Sequence, residues 1–391
     1  MGTHAFWVSV HALAVVALVN RYIGGRIVRY LRRAHLDETT ESFLPSVTVV
    51  IPLYNEGAAI QATLRSVLAS AYPRELLRVI CVDDASSDDS FALAAAICAE
   101  DPRLSVLRNA RNHGKRLSIN EAVRAASGEI IVSIDSDVVV DPAAIRELVR
   151  RFANPRIGAV GGWVDVRNKH DNWLTRMQVV KYWYAYYVMK NIECAFQRVM
   201  ALSGCLTAYR RSVLLELAPI LDARSILGVP IKYGEDRYLT RQIVKAGYFT
   251  VMTLDARCQT FVPRTLAGYF SQQLRWRRSN LVDYAAGCGH MWRLNPLLAI
   301  NYFSMALVMI AYPAGVFRAL ATGHLLHAIA LHLCLSLILG LHYAWSVRRW
   351  PARDRVGALS YAPLALCMPV TYALLTPLAL FSLDSSSWET R

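Results

Sequence analysis

Between Ser46 and about Thr250, short runs of β-branched residues alternate with stretches of helical periodicity. The runs SVTVVIPLYNE, LLRVICVDDAS and GEIIVSIDSDVVV read as strands, and IQATLRSVLAS and SFALAAAICAE between them read as helices. Strand–helix alternation of this kind predicts an α/β fold with a mostly parallel sheet covered by helices. In such sheets the ligand crevice lies at the carboxyl ends of the strands.

Polar side chains follow three of these strands at the point where each ends. They are Tyr54, Asn55 and Glu56, then Asp83 and Asp84, and then Asp135 and Asp137. One such loop is compatible with a solvated turn, but three at one edge of a sheet predict a ligand site. The spacing of Asp135 and Asp137 places two oxygen donors near one point. That arrangement suits Mg²⁺, which takes its remaining ligands from phosphates and water.

Two predicted helices begin with charged residues. Lys115 and Arg116 follow Gly114 at one helix start, where the dipole and two cations favour an anion such as a diphosphate. A solvated basic turn is the alternative there, and the spacing of a Walker A loop is absent. Glu235 and Asp236 begin another helix, a position at which the dipole alone favours acids.

Four apolar segments have the length of membrane helices: residues 5–23, 296–317, 325–345 and 356–383. A composition of 54% hydrophobic residues with a net charge of +14 is typical of a membrane protein with basic loops. No nucleic-acid-binding motif accompanies this charge, so we expect a lipid bilayer as partner and no nucleic acid. The eight cysteines are scattered, which indicates reduced thiols.

The arginines predict the orientation of these segments. They follow the first segment and none precedes it, which favours a retained helix with its N-terminus outside over a signal peptide. The stretch SVRRWPARDR places the loop after the third segment in the cytosol, together with residues 26–295. Pro363, Pro369 and Pro377 interrupt the fourth segment, which either spans or dips in and returns; we favour the return path.

Seven motifs then match a known family. In order and approximate spacing, IPLYNEG, VDDASSD, NHGKR, IDSD, SGCLTAYRRS, GEDRYLT and QQLRW resemble those of processive family 2 glycosyltransferases. The likeness is greatest to hyaluronan synthases and nodulation-type chitin oligosaccharide synthases, and it covers residues 1–391. It implies a cytosolic GT-A (Rossmann-like) domain fused to α-helical transmembrane and interfacial segments. The implied boundaries are 1–40 for the N-terminal helix, 41–262 for the catalytic domain, 263–295 for the interface helices and 296–391 for the C-terminal membrane region.

The resemblance implies a role for a residue of each motif. Those implied for the donor and metal are Tyr54, Glu56 and Asp83 around uridine, Lys115 and Arg116 near the nucleotide, Asp135 by the ribose and diphosphate and at the metal, Asp137 on Mg²⁺ or Mn²⁺, and Trp388 and Arg391 of the terminal WETR reaching the site from the cytosolic side. Those implied for the acceptor and the chemistry are Asp236 as general base, Ser203, Gly204, Cys205 and Glu235 at the acceptor, and Gln272, Arg275 and Trp276 of QxxRW, with the tryptophan stacking on the acceptor sugar and the arginine facing the diphosphate.

The implied activity is an inverting, processive β-glycosyltransferase of the inner (plasma) membrane. It would use a UDP-sugar donor, UDP-GlcNAc with or without alternating UDP-GlcA, extend a growing polysaccharide acceptor, and extrude the product. Three alternatives stay open: synthesis of another polysaccharide such as a glucose/glucuronate capsule or a β-glucan, transfer to a polyprenyl phosphate, and a non-enzymatic membrane protein. Two departures from the family pattern are Cys205, where relatives have SGP or CGP, and Glu389 in place of a glycine.

The stretch SQQLRWRRSNLVDY is predicted to form an amphipathic helix at the membrane interface. Its Arg275 and Trp276 side would face the active site, and we expect Arg277 and Arg278 to meet lipid headgroups. The aromatic-rich segment 173–193 is predicted as a helix packed on the catalytic sheet or on the interface helices, rather than a sugar-stacking surface.

Overall fold

The computed structural model describes residues 42–383, apart from 223–224, 227–228, 232 and 295, together with Ile27 and Tyr30. The described residues divide into two compact units. We call residues 42–165 and 193–261 the sheet unit, and residues 166–192 and 262–383 the helical unit. The predicted first membrane segment, Trp388 and Arg391 lie outside the described residues.

The strands are short and nearly all belong to one sheet. They are β1 (Val47–Leu53), β2 (Leu77–Asp83), β3 (Leu104–Arg108), β4 (Ile130–Ile134), β5 (Val139–Val140), β6 (Ile157–Val166), β7 (Leu206–Arg210), β8 (Ser225–Ile226), β9 (Val229–Pro230) and β10 (Phe249–Thr260).

The helices that carry the argument below are numbered in chain order. They are α1 (Ala59–Leu68), α2 (Ser90–Glu100), α3 (Lys115–Ala125), α4 (Ala144–Val149), α5 (Trp173–Trp183), α6 (Asn191–Cys194), α7 (Arg211–Asp222), α8 (Glu235–Lys245), α9 (Leu266–Cys288), α10 (Met291–Leu294), α11 (Pro296–Ala321), α12 (Leu325–Ser346), α13 (Leu364–Pro369) and α14 (Leu375–Leu380). Single turns of 3₁₀ helix cover Arg74–Leu76, Arg150–Ala153, Ala352–Asp354 and Ala358–Tyr361, and π-helical segments cover Tyr184–Lys190 and Val370–Leu374.

The sheet has eight strands in the order β3-β2-β1-β4-β7-β6-β10-β5. The half formed by β3, β2, β1 and β4 is parallel, as the alternation of strands and helices predicts. The prediction of a mostly parallel sheet is wrong for the other half, because β7 runs antiparallel to both β4 and β6, and β5 antiparallel to β10. The sheet is therefore mixed, and α/β remains the correct class.

The register of the parallel half brings the predicted acids together. The strand β1 is buried along its whole length, so its side chains VTVVIPL pack on both faces of the sheet. Leu53 at its end pairs with Asp83, and Asp83 pairs in turn with Arg108 of β3. The chain segments that follow these strands consequently leave the sheet at one edge.

The helical unit contains the predicted C-terminal apolar segments. Among the described residues, α12 is the one helix that is long and apolar enough to cross a membrane. It follows α11 after a short turn at Gly323, and a hydrogen-bonding contact of 2.6 Å joins the Tyr312 hydroxyl to His332 Nε2 across the pair. The proline-broken segment forms two helical stretches, Ala352–Tyr361 and Leu364–Leu380, bent by 65°. That bend accommodates either a broken span or a re-entrant path.

The stretch predicted as an interface helix forms part of α9, but Arg277 and Arg278 of this helix do not both point outwards. Arg277 is buried, and its guanidinium carbon lies 3.8 Å from the centre of the Tyr372 ring. Arg278 donates from Nε to the Ser382 hydroxyl at 3.0 Å. The expectation that Arg277 meets lipid headgroups is therefore wrong, because an aromatic ring from a distant part of the chain covers its guanidinium.

Candidate active site

The loop after β1 is fixed to the chain segments that follow the neighbouring strands. Asn55 adopts a left-handed backbone conformation (φ 50°), and its amide N–H donates to Ser86 Oγ at 3.0 Å. The Glu56 carboxylate accepts a hydrogen bond from Ser136 Oγ at 3.2 Å. This contact ties the first predicted loop to the DSD loop after β4, so two of the three acidic loops share a hydrogen bond. Tyr54, which precedes them, is partly exposed.

The two aspartates after β2 are fully buried and have different partners. Asp83 pairs with Arg108 Nε at 3.2 Å. Asp84 accepts from the backbone N–H groups of His113 (3.0 Å) and Gly114 (2.7 Å). Asp84 thus fixes the loop that leads into α3 and positions Lys115 indirectly. Its place beside Asp83 at a strand end predicts a polar site there, but not that its carboxylate holds this loop.

Lys115 bridges two carboxylates from distant motifs. Its Nζ lies 2.6 Å from Asp135 Oδ1 and 3.0 Å from Glu235 Oε1, and all three side chains are largely buried. Burial acts to lower the pKa of Lys115, but the two carboxylates outweigh it and hold that pKa well above its usual range. The NHGKR, IDSD and GED motifs are therefore joined by one ammonium group, and Arg116 beside it lines the adjoining cavity.

Gly204 of the predicted acceptor motif lies against this ion pair. A Cβ atom at Gly204 would lie 2.7 Å from Lys115 Nζ and 3.4 Å from Asp135 Oδ1. The next residue, Cys205, donates its backbone N–H to Ser203 Oγ at 3.3 Å. Burial first, and then the charges of Asp135 and Asp137, raise the pKa of the Cys205 thiol, so this side chain is neutral. The SGC motif thus places Gly204, which has no side chain, and the neutral thiol of Cys205 close to the DxD carboxylates.

Asp236 stands in the first turn of α8, beside Glu235. The helix begins after Gly234, whose left-handed conformation (φ 64°) is accessible to glycine without a steric cost. Burial first, and then the neighbouring Glu235 carboxylate, raise the pKa of Asp236, while Arg237 and Lys115 oppose the shift. An aspartate with a raised pKa is matched to accepting a proton near neutral pH.

A pocket adjoins these groups within the sheet unit. Its lining includes Lys115, Gly204, Tyr209, Asp236 and Tyr238. The pocket therefore combines the cations Lys115 and Arg116, the carboxylates Glu235 and Asp236, and aromatic surface, which are groups able to bind a sugar and to remove a proton from it.

The two DxD carboxylates fit a divalent cation that arrives with phosphate oxygens. Asp137 is buried and accepts from Thr260 Oγ1 at 3.1 Å, while Asp135 faces Lys115. No cluster of three or more His, Cys, Asp or Glu side chains suited to a metal occurs in the part of the chain that the structure describes. Two carboxylates are what Mg²⁺ and Mn²⁺ sites on nucleotides commonly use, the remaining ligands being phosphate and water.

The QxxRW residues belong to α9 in the helical unit. Gln272 is buried, and its carboxamide oxygen has no hydrogen-bond partner among the described residues. The ring of Trp276 lies 6.4 Å from that of Tyr182, measured between centroids. Arg275 is partly exposed. These positions leave one buried acceptor atom and one partly exposed aromatic face available for a ligand.

The mixed α/β sheet, with carboxylates at its strand ends and a buried lysine beside them, defines a glycosyltransferase of the GT-A class. The chain belongs to the family described as "Glycosyltransferase like family 2", whose model matches residues 45–279. It is 33% identical over 366 residues to an N-acetylglucosaminyltransferase of Bradyrhizobium diazoefficiens, with 90% of this chain and 72% of that protein covered. It is also 32% identical to an N-acetylglucosaminyltransferase of Rhizobium meliloti, with 89% of this chain and 82% of that protein covered.

The fold is shared with a solved structure as well. A mannosyltransferase from Pyrobaculum calidifontis, in complex with GDP-Man and Mn²⁺, superposes with a TM-score of 0.64 at 22% identity, covering 96% of this chain and 98% of that one. At that identity the match establishes the fold and no more. The protein is an enzyme of glycosyl transfer.

Proposed function

We propose that this enzyme polymerises N-acetylglucosamine from UDP-GlcNAc in one inverting displacement, with Asp236 as the general base. The observation that carries the proposal is that Asp236 and Glu235 line one pocket with Lys115, whose ammonium bridges Glu235 and Asp135. The relatives that are named N-acetylglucosaminyltransferases support GlcNAc as the sugar. Polymerisation and export rest on the resemblance of QQLRW to the motif of processive enzymes.

Different residues of the sheet unit are proposed to have different roles in the reaction. Lys115 offers positive charge where the UDP leaving group gains negative charge, which lowers the energy of the transition state. Asp236 takes the proton of the acceptor hydroxyl as it attacks the anomeric carbon from the face opposite UDP. A single displacement turns an α-linked donor into a β-linked product. Glu235, held by Lys115 at 3.0 Å, is placed beside the base, where it contributes to acceptor binding.

Asp135 and Asp137 would hold a Mg²⁺ or Mn²⁺ ion that neutralises the donor diphosphate and polarises the leaving group. Thr260 orients the Asp137 carboxylate through its hydroxyl at 3.1 Å. Tyr54, Glu56 and Asp83 are proposed to line the uridine pocket, with Arg116 beside the nucleotide.

The acceptor is proposed to contact the QxxRW residues. Trp276 would stack on the terminal sugar and Arg275 would face the diphosphate, while Gln272 offers a buried oxygen that lacks a partner among the described residues. The apolar helix α12 and the bent segment after it support attachment to a membrane through which the product leaves. Trp388 and Arg391 are proposed to contact the donor from the cytosolic side.

The proposal is tested by measuring UDP release from the purified full-length protein with Mg²⁺ or Mn²⁺ present. UDP-GlcNAc, UDP-GlcA and UDP-Glc are supplied singly and in pairs, and products are sized by mass spectrometry. We expect sustained release from UDP-GlcNAc alone with products of several GlcNAc units. Asp236→Asn, which keeps the size of the side chain and removes the base, is the matched control.

Other outcomes identify the alternatives. A need for UDP-GlcNAc and UDP-GlcA together would indicate an alternating, hyaluronan-like polymer. Turnover only after addition of a polyprenyl phosphate would contradict polymerisation and support single transfer to a lipid carrier. Unchanged UDP release by Asp236→Asn would show that another group acts as the base.

A further inference from the structure

Lys181 of α5 places an ammonium group beneath the QxxRW helix. Its Nζ donates to Gln273 Oε1 at 2.5 Å and to the Tyr269 hydroxyl at 3.3 Å. The same nitrogen lies 5.1 Å from the centre of the Tyr269 ring and 5.6 Å from that of Trp276. Both distances are within the range at which a cation is attracted to an aromatic face.

Gln273 and Tyr269 are almost fully buried, so the contacts of Lys181 are made away from bulk water. A hydrogen bond between a charged donor and a carboxamide is stronger in such surroundings than at the surface. The network joins α5 to two successive turns of α9, on which Trp276 stands next to Arg277. The position of the indole therefore depends on a group from another helix.

Retaining a lysine at this site is costly. Burial first, and then the nearby Arg277 guanidinium, lower the pKa of Lys181 to about 7. Methionine has a similar length and would fill the space without this penalty. A group with a strongly shifted pKa next to the partly exposed ring of Trp276 is a candidate functional residue.

The surroundings of Lys181 contain further titratable groups. Those on elements packed against α5 or against its partners are Arg277 and Tyr269 of α9, Cys367 of α13, Tyr372 of the segment Val370–Leu374, His342 and Tyr343 of α12, and Tyr361 of the turn Ala358–Tyr361. His342 and Tyr343 contact Trp183, and Tyr361 contacts Tyr184, further along the same aromatic stretch.

We propose that Lys181 is a positioning residue for the acceptor, whose ammonium holds the Trp276 indole and the Gln273 carboxamide in the arrangement that the acceptor sugar stacks on. This inference rests on the proposed function, in which Trp276 binds the growing chain. Lys181 acts through Trp276 and takes no part in the displacement itself. Its influence therefore falls on the KM for the acceptor and leaves the KM for UDP-GlcNAc unchanged.

Protonation of Lys181 makes this influence dependent on pH. The ammonium form predominates below about pH 7 and the neutral amine above it. The amine no longer attracts the aromatic face, so acceptor binding weakens as the pH rises. A cation–π contact of about 1–2 kcal/mol corresponds to a rise of about 5- to 30-fold in the acceptor KM between pH 6 and pH 9. The base Asp236 affects kcat on the acid side, so the two effects separate.

The test uses full-length protein in lipid nanodiscs, with UDP-GlcNAc saturating and a β1,4-linked GlcNAc tetrasaccharide as the acceptor probe. The acceptor KM is measured from pH 6 to pH 9 for the wild type and three variants. Lys181→Met removes the charge, and we expect its acceptor KM to equal, at every pH, the high value that the wild type reaches at pH 9. Lys181→Arg keeps a cation that does not titrate, and we expect a low KM that no longer varies with pH.

Gln273→Glu provides a variant that leaves Lys181 in place. A carboxylate 2.5 Å from Nζ stabilises the ammonium, so the rise in KM moves to higher pH. A merely structural role for Lys181 would not produce such a displacement. The Gln273→Glu variant also keeps the inference testable if Lys181→Met does not fold.

Two results would overturn the inference alone: an active wild type whose acceptor KM is constant from pH 6 to pH 9, or a Lys181→Arg variant that retains the wild-type dependence on pH. A wild type that releases no UDP from UDP-GlcNAc at any pH would overturn the proposed function, and the inference with it. The two failures are therefore distinguishable.

Discussion

A methyl group at Gly204 would push apart the ammonium of Lys115 and the carboxylate of Asp135. The added Cβ would lie 2.7 Å from Lys115 Nζ, so the ammonium must retreat by about 0.7 Å to reach the 3.4 Å of an ordinary contact. That movement stretches the 2.6 Å contact between Lys115 and Asp135. The backbone of Gly204 is outside the left-handed region, and Nζ ends a flexible side chain, so we expect Gly204→Ala to fold.

The magnitude follows from the type of bond that is weakened. A hydrogen bond to a charged group contributes about 1.5–3 kcal/mol, which corresponds to a loss of about 10- to 150-fold in kcat/KM if the pair is needed in the transition state. The assay is steady-state UDP release from UDP-GlcNAc, with the melting temperature recorded in parallel. We expect that temperature to change little.

A double mutant tests whether the methyl group acts through the lysine. Lys115→Met removes the ammonium that the methyl group displaces, so adding Gly204→Ala to it costs little more activity. Gly289→Ala is the matched control, because a Cβ there meets no atom within 4 Å among the described residues. Wild-type kcat/KM in Gly204→Ala would refute the reasoning. Losses that multiply in the double mutant would refute it too, since they would show that the two changes act independently.

Three further predictions concern groups whose partners are defined. Asp236→Asn should lower kcat by about 10²–10⁴-fold with little change in donor binding. In the wild type, the base must be ionised and its pKa is raised, so kcat should decline at a higher pH than an ordinary aspartate would give as the solution is acidified. A pH–rate profile checks this. Thr260→Val removes the hydroxyl that orients Asp137, so half-maximal UDP release should need about 10-fold more Mn²⁺, and an unchanged Mn²⁺ requirement would contradict the role of Thr260. Asn172→Ala removes the side-chain oxygen that accepts from the Thr175 backbone N–H at the start of α5 and keeps the backbone N–H that donates to Thr175 Oγ1. It should destabilise the protein by about 1 kcal/mol, measured as a lower melting temperature, with Thr175→Ser as the milder companion.

Local patterns predicted the parallel half of the sheet and its polar edge correctly. The β-branched runs became β1, β2 and β4, and helices begin at Lys115 and Glu235, where charged residues predicted helix starts. These features depend on residues close together in the chain, where strand propensity and helix-start chemistry act. The direction of β7 was not predictable, because a short buried strand has the same composition in either orientation.

Local sequence patterns could not predict contacts between residues that are far apart in the chain. Lys115 was expected near the nucleotide, yet nothing in the sequence predicts that it bridges Asp135 and Glu235, since the sheet decides which loops meet. Arg277 was placed among lipid headgroups on its charge and its position beside an apolar run. Tyr372, almost a hundred residues further on, provides the ring that covers it. A charged residue next to an apolar run therefore indicates that its side chain has a partner, but the sequence does not identify that partner.

The charges of the sheet unit explain why a divalent cation and the donor should bind together. Lys115 contacts Asp135 and Glu235, Asp236 stands beside Glu235, and burial followed by the Glu235 carboxylate raises the pKa of Asp236. With Asp137 of the DxD pair, these carboxylates outnumber the cations Lys115, Arg116 and Arg237 by one, which disfavours a free diphosphate by charge repulsion. Raising the pKa of Asp236 relieves part of that repulsion, and a divalent cation between Asp135 and Asp137 relieves more. The arrangement that raises the pKa of Asp236 thus also disfavours a metal-free nucleotide donor, so we expect the donor to bind as its metal complex.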